Sequence, residues 1–288
     1  MPLPTPPPRL HQKVALVTGS SSGVGRAISL AFAAAGTSLL ICADLRPTCH
    51  GVFGTDEPDV PTHELINSRL GEGKALYMKT DVTEAESVEN AVRVPAERGG
   101  GWMMVNNAGT GSTGSAGKCH EMKQDVWDFT MYLLPPRGPF YSPSRKLNTT
   151  SVFLGSRFAI ARFLSQPPHP SFGGHQGWII NTASMLGLVG LKPGAAAYCA
   201  SKGACVLLTK QIAVEYAGER SHCHCYVPPY HYFIWFPRGV EGVKVGKRRA
   251  EGKGGEGAFF GMMADHRLLG NGSVYAPAGG GEQISKPP

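Results

Sequence analysis

The stretch that most narrows the choice of fold lies within the first 36 residues. VALVTG (14–19) is a short apolar run of the kind that forms a buried strand. It passes without a linker into TGSSSGVG (18–25), and then into VGRAISLAFAAAG (24–36), whose alanine-rich helical spacing closes on a glycine. Glycines permit a tight turn and let a phosphate approach the backbone. The start of the helix adds free N–H groups and a partial positive charge. Strand, glycine turn and helix in this order predict the first unit of an α/β doubly wound sheet, with a dinucleotide pyrophosphate at the turn.

The alternation continues. SLLICAD (38–44), ALYMKTD (75–81), WMMVNNAG (102–109), GWIINTAS (177–184) and HCHCYV (222–227) read as strands. EAESVENAVRV (84–94), stopped by Pro95, FLGSRFAIARFL (153–164) and a long segment over 195–218 read as helices. The expectation is a single Rossmann-like domain with a parallel sheet over residues 12–237. The proline-rich residues 1–11 are expected to form a disordered arm. Residues 238–288 are expected to be a weakly ordered, divergent C-terminal segment, and the closing apolar strand is missing from the pattern.

Composition excludes several classes. A chain with 42% hydrophobic and 17% charged residues reads as globular. No apolar run reaches the ~18 residues of a membrane span, so no membrane partner is expected. Seven scattered cysteines fit a reducing, cytoplasmic setting. The net charge of +7 includes KVGKRR (244–249), but no basic groove interleaved with aromatics accompanies it, and no nucleic-acid partner is expected. HCHC (222–225) invites a metal, yet strand alternation sends its side chains to opposite faces, so no metal is assigned.

Two features carry chemistry. Asp44 stands about 20 residues after the glycine turn, where a carboxylate accepts hydrogen bonds from ribose hydroxyls and repels a 2′-phosphate. That favours NAD; Arg46 nearby keeps NADP as the alternative. In AYCASKGA (197–204), Tyr198 and Lys202 are one helical turn apart and share a face, with Ser201 beside them. Such pairs are common on solvated helices, so the pair alone decides nothing.

The order of the motifs decides more. Thr18-Gly19-x-x-x-Gly23-x-Gly25 is followed by Asp81-Val82, Asn106-Asn107-Ala108-Gly109, Asn148, Ser184 and Tyr198-x-x-x-Lys202. Together these resemble the short-chain dehydrogenase/reductase family, over residues 13 to about 218. The resemblance implies NAD(P)-dependent interconversion of a secondary alcohol and a ketone. It implies catalytic roles for Tyr198 as acid/base, Lys202 as its electrostatic partner, Ser184 on the substrate oxygen, and Asn148 holding a water on the proton relay. It assigns the cofactor to Gly19, Ser21, Ser22, Gly23, Val24, Gly25, Asp44, Asp81, Val82, Asn107, Ala108 and Gly109, with Tyr198 and Lys202 contributing again. It also implies a homodimer or homotetramer built on the helix over 195–218. The apolar MLGLVGLKPG (185–194) would edge the pocket, which points to a hydrophobic cyclic or polyketide-like substrate.

Three segments depart from the family pattern. YLLPPRGPFYSPSRK (132–146) lengthens the approach to Asn148 and is expected to break the helix that should deliver it. VPPYHYFIWFP (227–237) has Pro229 where the family has glycine, and no threonine follows. The C-terminal segment shows little periodicity. These departures carry an alternative: a catalytically impaired relative, or a mis-spliced product, that at most binds nucleotide.

Overall fold

The computed structural model describes residues 10–48, 60–98, 101–109, 118–131, 148–170, 173–190, 195–227 and 274–275. The expected breaks at 132–146 and beyond Val227 lie outside the described residues, Val274 and Tyr275 excepted.

The described elements are β1 (Val14–Thr18), α1 (Gly23–Ala34), β2 (Leu39–Asp44), α2 (Thr62–Leu70), β3 (Ala75–Lys79), α3 (Ala85–Glu97), β4 (Trp102–Asn106), α4 (Gln124–Met131), α5 (Thr150–Leu164), β5 (Gly177–Thr182), α6 (Ala196–Glu215), β6 (Ser221–Tyr226) and β7 (Val274–Tyr275). The strands form one sheet in the order β3-β2-β1-β4-β5-β6-β7. Every ladder is parallel. This is the Rossmann-like arrangement that the motif order implies.

Strand alternation builds two cores from the same strands. From β1, Ala15 and Val17 face one side, where they meet Ile28, Phe32 and Ile66 of α1 and α2. Leu16 faces the other side, with Val88, Val92, Ile160, Phe163 and Ile212 of α3, α5 and α6. Burial on both faces explains why the strands read as continuous apolar runs. Leu10, within the expected arm, belongs to the first of these cores, and its N–H donates to the Ala35 carbonyl at 3.1 Å.

Three elements differ from the sequence reading. Pro95 does not stop α3, which continues to Glu97 with the proline in its last turn. There the missing N–H costs one bond, to Ala91, and the buried ring packs with the apolar face of the helix. Helix α2 escaped notice because its apolar stripe is thin: only Thr62 and Ile66 are buried. A seventh strand does pair with β6, but it has only two residues, Val274 and Tyr275, too few to make a periodic signal. No helix among the described residues is long and apolar enough to cross a membrane.

Candidate active site

The carboxyl ends of β1, β2, β4 and β5 open on one end of the sheet, which is where ligands bind in doubly wound folds. At β1 the chain turns into α1 through Gly19–Ser22. Ser22, at the start of α1, is extended and makes no side-chain cap, and the first turn of the helix carries no acidic residue. The helix end therefore remains available to an anion. A Cβ on Gly25 would collide with the Gly19 carbonyl and lie 2.5 Å from Asn107 Nδ2, so only glycine lets the turn pack this close to β4.

Asp44 reaches that turn. Its Oδ2 accepts the Ser21 N–H at 3.0 Å and its Oδ1 accepts the Leu45 N–H at 2.7 Å. The Ser21 hydroxyl donates to the Arg46 carbonyl, so the turn and the end of β2 are fastened together. Asp81 follows β3 and uses Oδ1 to accept from the Thr83 N–H and hydroxyl, at 2.9 and 2.6 Å. This anchors the entry to α3, and Val82 beside it is buried in the core.

Asn107, Ala108 and Gly109 follow β4. The N–H groups of Asn107 and Ala108 both donate to Thr18 Oγ1 at 3.0 Å, and Asn107 Nδ2 donates to the Thr18 carbonyl at 3.1 Å. Thr18 thus holds the second wall of the cleft. Beyond it, a Cβ built on Gly109 would stand 3.1 Å from Asn148 Oδ1 and 3.8 Å from Lys202 Nζ, which places these three predicted residues together.

Asn148 reaches the site from a turn just before α5, despite the long insertion ahead of it. Its Nδ2 donates to Ser201 Oγ at 3.2 Å, and Ser201 Oγ donates to the Tyr198 carbonyl at 2.8 Å. Its own carbonyl accepts the Cys205 thiol at 3.5 Å. On α6, Lys202 Nζ stands 5.8 Å from the centre of the Tyr198 ring and donates to the Thr182 carbonyl at 2.9 Å. Tyr198, Lys202, Asn148 and Ser184 are all buried. Ser184, past β5, accepts the Leu186 N–H at 3.2 Å and caps the short helical turn Met185–Gly187. That bond uses a lone pair of the hydroxyl and leaves its hydrogen able to donate. The contacts thus run from Asp44 and the glycine turn through Asn107–Gly109 to Asn148 and Lys202, with Tyr198 one turn away on α6 and the Ser184 turn packed on the Lys202 backbone through Gly187.

HCHC lies on β6, where Cys225 packs with Ala183 and Cys205 behind the Lys202 end of the site. Cys223 packs in the α5/α6 core, while the His222 and His224 rings stack at 6.1 Å on the opposite face. Burial pushes the Cys225 thiol up to about 12 and the Cys223 thiol higher still.

Sequence reading missed Thr18, Thr182 and Arg26 as parts of the site's frame. Buried Arg26 donates to the Val60 carbonyl at 2.8 Å and to Thr62 Oγ1 at 3.1 Å, and Thr62 Oγ1 donates to the Ser20 carbonyl at 2.8 Å. These bonds tie α2 to the glycine turn. The one available signal was a basic residue in the apolar, alanine-rich pattern of α1.

Fold and cleft define a dinucleotide-binding oxidoreductase of the doubly wound class. The chain belongs to the short chain dehydrogenase family, whose profile matches residues 13–231. It is 32% identical to 2-(R)-hydroxypropyl-CoM dehydrogenase of Xanthobacter autotrophicus, over 75% of this chain and 73% of the relative. It is also 32% identical to the cyclopentanol dehydrogenase of a Comamonas species, over 73% of this chain and 69% of the relative. A short-chain type dehydrogenase/reductase from Mycobacterium marinum superposes with a TM-score of 0.59 at 29% identity, covering 77% of this chain and 74% of that one. Short-chain dehydrogenases use NAD(P), and the first two of these relatives are named as dehydrogenases of secondary alcohols.

Proposed function

We propose that this chain oxidises a hydrophobic, preferably cyclic, secondary alcohol to its ketone, or runs the reverse reaction, with NAD favoured over NADP. The observation that carries this reading is the convergence of Asn148, Ser184, Tyr198 and Lys202 on the cleft that also holds the glycine turn. The residues present fit the dinucleotide: the start of α1 is uncapped, its first turn carries no acidic residue, and Asp44 stands at the turn.

Bound nicotinamide supplies the hydride donor or acceptor. Residues Gly19–Gly25 hold the pyrophosphate against α1. Asp44 accepts the adenosine ribose hydroxyls, while Asp81 and Val82 border the adenine. Asn107–Gly109 and Lys202 hold the nicotinamide ribose. Tyr198 takes the proton from the alcohol hydroxyl, or returns it to the carbonyl oxygen. The Lys202 ammonium stabilises negative charge on the phenol oxygen as the proton moves. Ser184 donates its hydroxyl hydrogen to the substrate oxygen. Asn148, hydrogen-bonded to Ser201 beside Lys202, holds a water on the proton relay to that lysine. Met185, Leu186, Leu188 and Val189 edge the substrate side with apolar surface, which suits a hydrophobic ring. The relatives named for cyclopentanol and a 2-hydroxypropyl compound fit the same reaction class.

The outer face of α6 exposes Leu207 and Val214, at 67% and 75%, and α5 exposes Phe153. These apolar groups support assembly into a homodimer or homotetramer; sedimentation as a monomer at micromolar concentration would contradict it.

The deciding experiment removes only the Tyr198 hydroxyl. The unmodified chain is assayed with NAD⁺ against cyclopentanol and larger cyclic alcohols. Tyr198→Phe should bind NADH with nearly unchanged affinity and lose at least 10²-fold in kcat. A variant that keeps a tenth of the rate would remove Tyr198 from the acid/base role. NADH binding without turnover in the unmodified chain would favour the impaired relative.

A further inference from the structure

Behind the reacting groups lies a buried polar cluster that the proposed chemistry does not use. Asn181 on β5 and Thr209 on α6 are both 0% exposed. Asn181 Oδ1 accepts from Asn106 Nδ2 at 2.9 Å, and its Nδ2 donates to Thr209 Oγ1 at 3.0 Å. Asn106 Nδ2 also lies 3.2 Å from Ser156 Oγ on α5. Thr209 Oγ1 completes its bonding by donating to the Cys205 carbonyl at 2.7 Å.

The two ends of this chain of bonds matter. Asn106 ends β4 and leads directly into Asn107–Gly109. Thr209 stands seven residues, or two turns, beyond Lys202, and so lies on the same face of α6. Apolar contact between a helix and a sheet is not directional and discriminates weakly among small rotations. A hydrogen bond between two buried side chains is directional, and breaking it strands a polar group. The bond from Asn181 to Thr209 therefore adds a second directional tie between β5 and α6, two turns beyond the Lys202–Thr182 bond, and the two together resist rotation of α6 about its axis. A rotation of about 10° moves an atom about 6 Å from that axis by about 1 Å. A displacement of that size is enough to spoil a proton transfer.

We infer that Asn181 and Thr209 are positioning residues: through one buried amide they fix the helix carrying Tyr198 and Lys202 relative to the strand end carrying Asn107–Gly109. The inference rests on the function proposed above and assigns that site a support that touches neither substrate nor cofactor.

The test compares Thr209→Val, which keeps the shape and removes the hydroxyl, with Thr209→Ser, which keeps the hydroxyl. Asn181→Leu is the companion, and the threonine pair decides if that variant does not fold. Each full-length protein is titrated by calorimetry with ADP-ribose, which lacks the nicotinamide, and with NADH, and its kcat and KM are then measured with a cyclic alcohol. Thr209→Val should bind ADP-ribose within about twofold of the unmodified chain, bind NADH about fivefold more weakly and lose about tenfold in kcat. Thr209→Ser should recover most of both losses. Parallel loss of ADP-ribose and NADH affinity would show general loosening and overturn the inference, as would equal behaviour of the valine and serine variants. So would a folded Thr209→Val with unchanged NADH affinity and kcat. If the unmodified chain binds both nucleotides and turns over nothing, the binding comparison decides alone. If it binds neither, the functional reading fails first and the inference falls with it.

Discussion

Gly187→Ala adds one methyl group at the tightest contact between the Ser184 turn and α6. A Cβ at Gly187 would lie 2.7 Å from both the carbonyl carbon and the carbonyl oxygen of Lys202, and 3.0 Å from the Gly203 nitrogen. All three are backbone atoms, so no side chain can swing aside. Ordinary contact begins near 3.4 Å, so turn and helix must separate by about 0.7 Å. Ser184 moves with the turn, because the Gly187 N–H donates to the Ser184 carbonyl at 2.9 Å. A shift approaching 1 Å between Ser184 and Tyr198 should lower kcat by about 10–100-fold. The glycine turn and Asp44 lie at the other end of that run of contacts, so NADH affinity should stay within about threefold. Overpacking of this kind costs about 1–3 kcal/mol and should lower the melting temperature by several degrees. The control lies across the same contact. A Cβ on Gly203 would meet only the Gly187 carbonyl oxygen, at 3.6 Å, an ordinary distance. Gly203→Ala should therefore keep its rate within about threefold and gain up to about 1 kcal/mol of helix stability. Steady-state kinetics, NADH fluorescence titration and circular-dichroism melts measure all three quantities. A folded Gly187→Ala protein within twofold of the original kcat would refute the steric reasoning, as would equal damage from Gly203→Ala.

Lys202→Met should abolish measurable turnover and also weaken NADH binding, since the ammonium serves both the phenol oxygen and the ribose; unchanged NADH affinity in a titration would confine it to the first task. Asp44→Ala should narrow or reverse the preference for NAD(H) in paired titrations, and a tenfold preference of the unmodified chain for NADP(H) would contradict its role as discriminator. Burial, reinforced by His222, pulls the His224 pKa down to about 4. Above pH ~6.5 both folded and unfolded chains hold this histidine neutral and its contribution is complete. As pH falls from there toward 4, the unfolded chain takes up a proton that the folded chain refuses, and stability declines by about 1.4 kcal/mol per unit. His224→Gln should flatten urea-unfolding stability between pH 7 and 5 by about 2 kcal/mol relative to the unmodified chain, and parallel profiles would count against the burial argument.

Legibility in the sequence followed locality. The strand–turn–helix at 14–36 and the Tyr198/Lys202 face of α6 depend on neighbours in the chain, and periodicity plus glycine placement revealed them. Helix α2 had a proline before it and Gly71 after it, but too few buried residues to make a stripe. Pro95 misled because a proline in the last turn forfeits little, whereas one in the middle breaks the helix. Tyr198, Lys202 and Ser184 were legible only as an ordered set of motifs, and no spacing announced that Ser184 also caps a turn. Asn181 and Thr209 were not legible at all. Their partners stand 75 and 28 residues away, and nothing in a local window marks a buried amide as satisfied.

The order of strands in the sheet also bears on how the chain is made. β1 is made before the other strands of this sheet, yet it ends between β2 and β4. β2 and β3 follow within residues 39–79; β2 can cover one edge of β1, and β3 pairs with β2. Its other edge waits for Trp102–Asn106. At ribosomal speeds the 27 residues from Lys79 to Asn106 take about 1–5 s. During that interval the N–H and C=O groups that β1 turns toward β4 stay unpaired and form an open apolar edge, the kind that recruits strands from other chains. A nascent chain arrested after Lys79 should therefore aggregate or hold a chaperone, and one arrested after Asn106 should do so far less.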